Sequence, residues 1–138
     1  MTEKEINEIA DNLIAGLISY INRDSNEIIA IPDIDEFSDT YEVWADQIKE
    51  IKENYDRYIV IEKMDSGDSF KVMERFTEYV SNGVLREKLL TALAKRKPFS
   101  NFKFEIDNSG PFRQKWFDFQ KEQVVKWVKD QLELDNLQ

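Results

Sequence analysis

Every run with strand character in this chain lies before residue 63; from there to the C-terminus, apolar residues recur at three- and four-residue steps. Strands gathered at one end cannot alternate with helices to build a parallel, doubly wound sheet. They must pair locally and antiparallel, with helices packed on what they form. The expected fold is α+β. A small antiparallel sheet of about three strands in the N-terminal half is packed by about six helices, and the C-terminal half is all helical.

The elements follow from spacing and turn chemistry. Ile6, Ile9, Leu13 and Leu17 fall on one helical face, and Thr2 with Glu5 has the pattern of a capping box. A helix over about 3–15 is therefore expected, stopped by Gly16. Leu17–Asn22 and 27–31 flank the polar Arg23-Asp24-Ser25-Asn26 and read as a hairpin ending at Pro32. An acidic loop runs to Asp39, which is placed to cap the next helix. That helix, near 40–55, carries Tyr41, Trp44, Ile48, Ile51 and Tyr55 in steps of 3, 4, 3 and 4, which predicts burial of Trp44, Ile48 and Ile51. Tyr58–Glu62 is rich in β-branched residues and reads as the third strand.

Beyond it, Ser66 or Asp68 opens a helix bearing Phe70, Met73, Phe76 and Val80, and Ser81-Asn82-Gly83 breaks it. Leu85, Leu89, Ala92 and Leu93 mark another that must stop before Pro98. Phe99, Phe102 and Ile106 form a short helix. Asn108-Ser109-Gly110-Pro111 ends it and begins the last, whose apolar side is Phe112, Trp116, Phe119, Val124, Trp127, Val128 and Leu132.

With 138 residues, a single domain over 1–138 is expected. The chain has no cysteine and no histidine. Disulfides, thiolate chemistry and the usual transition-metal ligands are thereby excluded, so no metal site and no cofactor is expected. Catalysis would have to run on Asp, Glu, Lys, Tyr, Ser or Thr without the side chain that most often serves as general base. Thr2–Asn12 is acidic and helix-patterned, unlike a secretory leader, and no apolar run is long enough to span a bilayer. A cytoplasmic location, with no membrane partner, is expected.

The net charge of −9 is unevenly placed. Residues 1–56 carry 4 basic and 15 acidic side chains, whereas residues 84–104 carry six basic side chains against Glu87 alone. An acidic half meets a basic third.

Met73-Glu74-Arg75-Phe76, the stretch Leu85-Arg86-Glu87-Lys88-Leu89-Leu90, then Arg96-Lys97-Pro98-Phe99, Phe102-Lys103 and Trp116-Phe117 together resemble a bacterial family without an assigned function, uncharacterised protein family 0158. The resemblance runs from about residue 17 to Trp127. The early hairpin is similar to that family's β-turn-β opening, but Asp24-Ser25-Asn26 stands where a turn glycine is usual. The resemblance supports the fold and implies no activity.

Four features are candidates for function. Arg86, Lys88, Lys95, Arg96, Lys97 and Lys103 flank Phe99 and Phe102, a mixture that can grip phosphates and stack on bases. The favoured reading, however, is that these charges offset the acidic half while both rings lie in the core. Pro32-Asp33-Ile34-Asp35-Glu36-Phe37 with Asp39 offers oxygen ligands but lacks the spacing of a calcium loop, so a plain acidic loop is favoured. Asp65-Ser66-Gly67-Asp68-Ser69 precedes a helix, yet its aspartates would repel phosphate, so a turn and cap is favoured. Trp116, Phe117, Phe119 and Trp127 lie on one helix with Phe117 off the line of the others; a core helix packed on two sides is favoured, and a partner or self-association surface through Trp116 and Phe117 is the alternative. The leading expectation is a non-catalytic interaction or adaptor protein, engaging a protein partner or itself. Nucleic-acid or anionic-ligand binding through residues 86–103 is the alternative, and a carboxylate enzyme assisted by a divalent metal ranks below both.

Overall fold

A computed structural model describes residues 1–136. It contains six α-helices and one three-stranded antiparallel sheet: α1 (Glu3–Ile14), β1 (Leu17–Asn22), β2 (Ile28–Pro32), α2 (Tyr41–Glu53), β3 (Tyr58–Ile61), α3 (Ser66–Tyr79), α4 (Gly83–Ala94), α5 (Pro98–Asp107) and α6 (Phe112–Asn136). The strands lie in the N-terminal half and the C-terminal half is helical, which is the α+β arrangement read from the residue pattern. The described residues fall into two compact units, one of residues 1–63 with 124–136 and the other of residues 64–123.

In the first unit the strand order is β2-β1-β3. Ile21 pairs with Ile28 on one side and Ile59 on the other, and Tyr20 with Ile29 and Val60. Because side chains alternate across a strand, this register sorts the apolar residues into two faces. Ile21, Ile28, Ile59 and Ile61 pack with Ile6, Ile9, Ala10 and Leu13 of α1 and with Val128 of α6. Tyr20, Ile29, Ile31 and Tyr58 pack with Ile48 and Ile51 of α2 on the other face. Ser19 lies fully buried on the α1 side, and its Oγ has no hydrogen-bond partner among the described residues.

Local chemistry explains the boundaries. Thr2 and Glu5 close the expected capping box on α1. Gly16 takes a φ of +86°, a left-handed value that stops the helix before β1. The hairpin has no glycine at its turn; Asn26 takes its place at φ 61°, and the Asn22 carboxamide oxygen accepts from the backbone N–H of Asp24 and Ser25. Asparagine tolerates the left-handed region because its short polar side chain can bond locally.

Two expectations need correction. Asp39 is not the cap of α2: Thr40 occupies that position without a side-chain bond, and Ser38 organises the turn through its carbonyl and Oγ. α3 opens at Ser66, one of the two residues expected to open it, and Asp65 just before it supplies the cap, its Oδ1 accepting from the Asp68 N–H at 2.7 Å. Trp44 is only half-buried, although Ile48 and Ile51 are buried as the periodicity required. Trp44 still packs against the cluster of Ile31, Ile48, Ile51 and Tyr58, but it is not closed over by it.

The second unit buries Val72, Met73, Phe76, Val80, Leu85, Leu89, Leu93, Phe102, Ile106 and Trp116 in one cluster. Trp116 stands edge-on to both Phe76 and Phe102, at centroid distances of 5.3 and 4.9 Å.

Candidate functional site

The charge asymmetry follows the boundary between the units. Residues 1–63 with 124–136 hold 8 basic and 19 acidic side chains, and residues 64–123 hold 11 basic and 9 acidic ones. Each unit has an open concave surface of its own.

In the first unit, the segment after β2 turns away from the sheet at Pro32 and returns as α2. Between that segment, α2 and the sheet lies a groove of about 560 Å³. Its walls are Ile18, Tyr20, Ile31, Ile34, Tyr41 and Tyr55, among others, and its rim carries Asp33, Asp35, Glu36 and Lys52. Phe37, at the lip, is 85% exposed, an unusual state for a large apolar ring. The Asp35 carboxylate accepts from the Phe37 N–H at 2.9 Å, which fixes the turn that presents the ring. Among the described residues, none of Asp33, Asp35 and Glu36 has a cation within 4 Å. The Tyr20 hydroxyl, at the wall, is pushed above its ordinary pKa by burial first and then by Tyr55, Glu62 and Asp33. No group of three or more carboxylates among the described residues is placed to hold a metal ion.

Sequence reasoning singled out this loop for its carboxylates and overlooked its apolar members. The signal was present: Ile34 and Phe37 interrupt an otherwise polar loop, and an apolar residue in a loop needs something to cover it.

In the second unit, α4 and α5 are joined by three residues, Lys95, Arg96 and Lys97. A groove of about 330 Å³ runs between the two helices, lined by Glu87, Lys88, Thr91, Lys95, Asn101, Phe104 and Glu105. The structure does not bring the six cations onto one surface. Lys88 and Lys95 share this groove, but Arg86 lies about 200° around α4 from Lys88. Lys103 is two residues from both Asn101 and Glu105, on the opposite side of α5, where it pairs with Asp107 at 3.9 Å. Asp107 is the one carboxylate within 4 Å of any of the six among the described residues.

Lys97 sits at φ 54°, a left-handed conformation that costs a lysine about 1–2 kcal/mol. Asn101 holds it there, its carboxamide donating to the Arg96 carbonyl at 2.7 Å and its N–H to the Lys97 carbonyl at 3.1 Å. The aromatics also differ from expectation. Phe102 is in the core, but Phe99 is 43% exposed and Phe104, on the groove, 65%.

Of the two partner aromatics, Trp116 is buried in the core of the second unit and so is withdrawn from the surface. Phe117 is exposed, with the Arg113 guanidinium over its ring at 4.7 Å. In the Asp65–Ser69 segment Asp65 is the cap that was expected, but Ser66–Ser69 form the first turn of α3 and not a turn ahead of it.

These features sit in a chain matched from residue 4 to residue 138 by the model of the Uncharacterised protein family (UPF0158). The chain belongs to that family. The match extends the resemblance read between residues 17 and 127 across α1 and the whole of α6. A UPF0158 protein of Pseudomonas aeruginosa is 29% identical over 83 residues, 60% of this chain and 54% of its own length. The chain thus aligns with about half of that relative. No solved structure matches. No helix among the described residues is long and apolar enough to cross a membrane.

Proposed function

We propose that this protein is a non-catalytic interaction domain of the cytoplasm, and that it binds a protein partner in the groove beside α2. The observation that carries this reading is Phe37, held 85% exposed at the lip of a groove walled by Ile18, Tyr20, Ile34 and Tyr41. Exposed apolar side chains scattered singly are ordinary, but a ring beside a concave apolar wall is the arrangement that anchors a partner. The cytoplasmic location rests on a chain that uses no cysteine.

The test compares tagged wild-type protein with Phe37→Ser, purified side by side from the cells that make it. Because Phe37 is exposed, Phe37→Ser should keep the melting temperature of the wild type. A protein that accompanies the wild type and is lost from Phe37→Ser is the expected result. Identical companions for both would reject the groove as the binding face.

A second reading, binding of an anionic ligand or nucleic acid, is favoured by one observation. Lys95, Arg96 and Lys97 have no carboxylate within 4 Å among the described residues, and Phe99 and Phe104 are exposed beside them. Glu87 and Glu105 on the same groove oppose it. Arg96→Glu with Lys97→Glu removes no ion pair, so the melting temperature should stay within about 2 °C, exposed charges of this kind contributing little. Retention of the wild type on immobilised single-stranded DNA, falling with salt and absent for the double variant, would support this reading. Failure of the wild type to be retained at low salt would remove it.

A further inference from the structure

Resting on the reading of the α2 groove as a protein-binding site, we infer that its occupant is a basic segment of a partner protein, carrying Lys or Arg beside one bulky apolar anchor. Three observations lead there. The groove walls are apolar, so an occupant without an apolar side chain would leave Ile34, Phe37 and Tyr41 uncovered. The rim carries three carboxylates against one lysine, and among the described residues none of those carboxylates is neutralised within 4 Å. The unit that holds the groove has 8 basic and 19 acidic side chains, so its field draws cations in and turns polyanions away.

The size of the site argues for a segment rather than a folded surface. A volume of about 560 Å³ falls within the range, roughly 300–1,000 Å³, of sites that enclose a small molecule. A few side chains fill such a space and a domain face does not. Apolar contact then supplies the hold, and the three carboxylates select among segments of equal apolarity. Complementary charge of this sort acts on specificity and on the rate of encounter more than on the strength of the finished complex.

The experiment titrates the full chain, isotopically labelled, with three synthetic twelve-residue peptides that share two leucines and one phenylalanine. Their remaining positions are rich in lysine, in glutamine or in glutamate. The lysine peptide should move the amide resonances of residues 31–55, bind about tenfold more tightly than the glutamine peptide and lose that advantage at high salt. The glutamate peptide should leave these resonances unmoved. In Asp33→Asn with Asp35→Asn and Glu36→Gln, which keeps an acceptor oxygen for the Phe37 N–H, the lysine peptide should fall to the affinity of the glutamine peptide. Equal binding of the lysine and glutamine peptides in this groove would overturn the basic occupant and leave the interaction reading standing. Shifts confined to residues outside 18–55 would overturn the basic occupant as well. If no peptide of the three moves the groove resonances, the interaction reading falls together with it.

Discussion

Phe102→Ala should destabilise the protein by about 3–5 kcal/mol, the range for removing a large ring from a closed core. Phe102 is 2% exposed and lies edge-on to Trp116, whose ring also faces Phe76. Truncation takes away the ring's own burial and opens a cavity beside two aromatics fixed from α3 and α6, so the space cannot close by a small shift. Chemical denaturation followed by tryptophan fluorescence reads the loss directly, since Trp116 reports the site. Phe104→Ala, two residues along the same helix, should change stability by less than about 0.5 kcal/mol, because its ring is 65% exposed. A loss below about 1 kcal/mol for Phe102→Ala would mean that the second unit is not packed as described.

Ile21→Ala should cost about 2–5 kcal/mol for a related reason in the first unit. Ile21 is 1% exposed at the centre of the middle strand, between Ile28 and Ile59, with α1 above it. No neighbour can move into the gap without breaking the register that sorts every other side chain on the sheet. Ser19→Ala, on the same face two residues earlier, should be neutral or stabilising, because the hydroxyl it removes is fully buried without a partner. Thermal denaturation of the two variants should therefore move in different directions, or at least differ by about 10 °C. Equal losses would show that the Ser19 hydroxyl is satisfied in solution.

The boundaries of most elements could be read from the residues because they are decided within a few positions along the chain. The Thr2–Glu5 box, Gly16, the asparagine-rich turn and Pro98 at the start of α5 act on backbone groups next to them. The miss at Asp39 was a shift of one position, among several neighbouring polar residues of similar competence.

The sequence by itself therefore determined the α+β class, the order of the elements, the family and the unequal charge. These depend on periodicity, turn chemistry and composition, all local or additive properties. The tertiary structure alone decided which members of each apolar face are covered. Ile48 and Ile51 are buried, but Trp44 on the same face is half-open; Phe102 and Ile106 are core, but Phe99 at the same spacing is exposed. Helical spacing states which residues share a face, but whether that face meets another element depends on chain segments tens of residues away. The same reason separated Arg86 and Lys103 from Lys88 and Lys95, and set Phe37 at the edge of a groove whose opposite wall comes from β1 and α2.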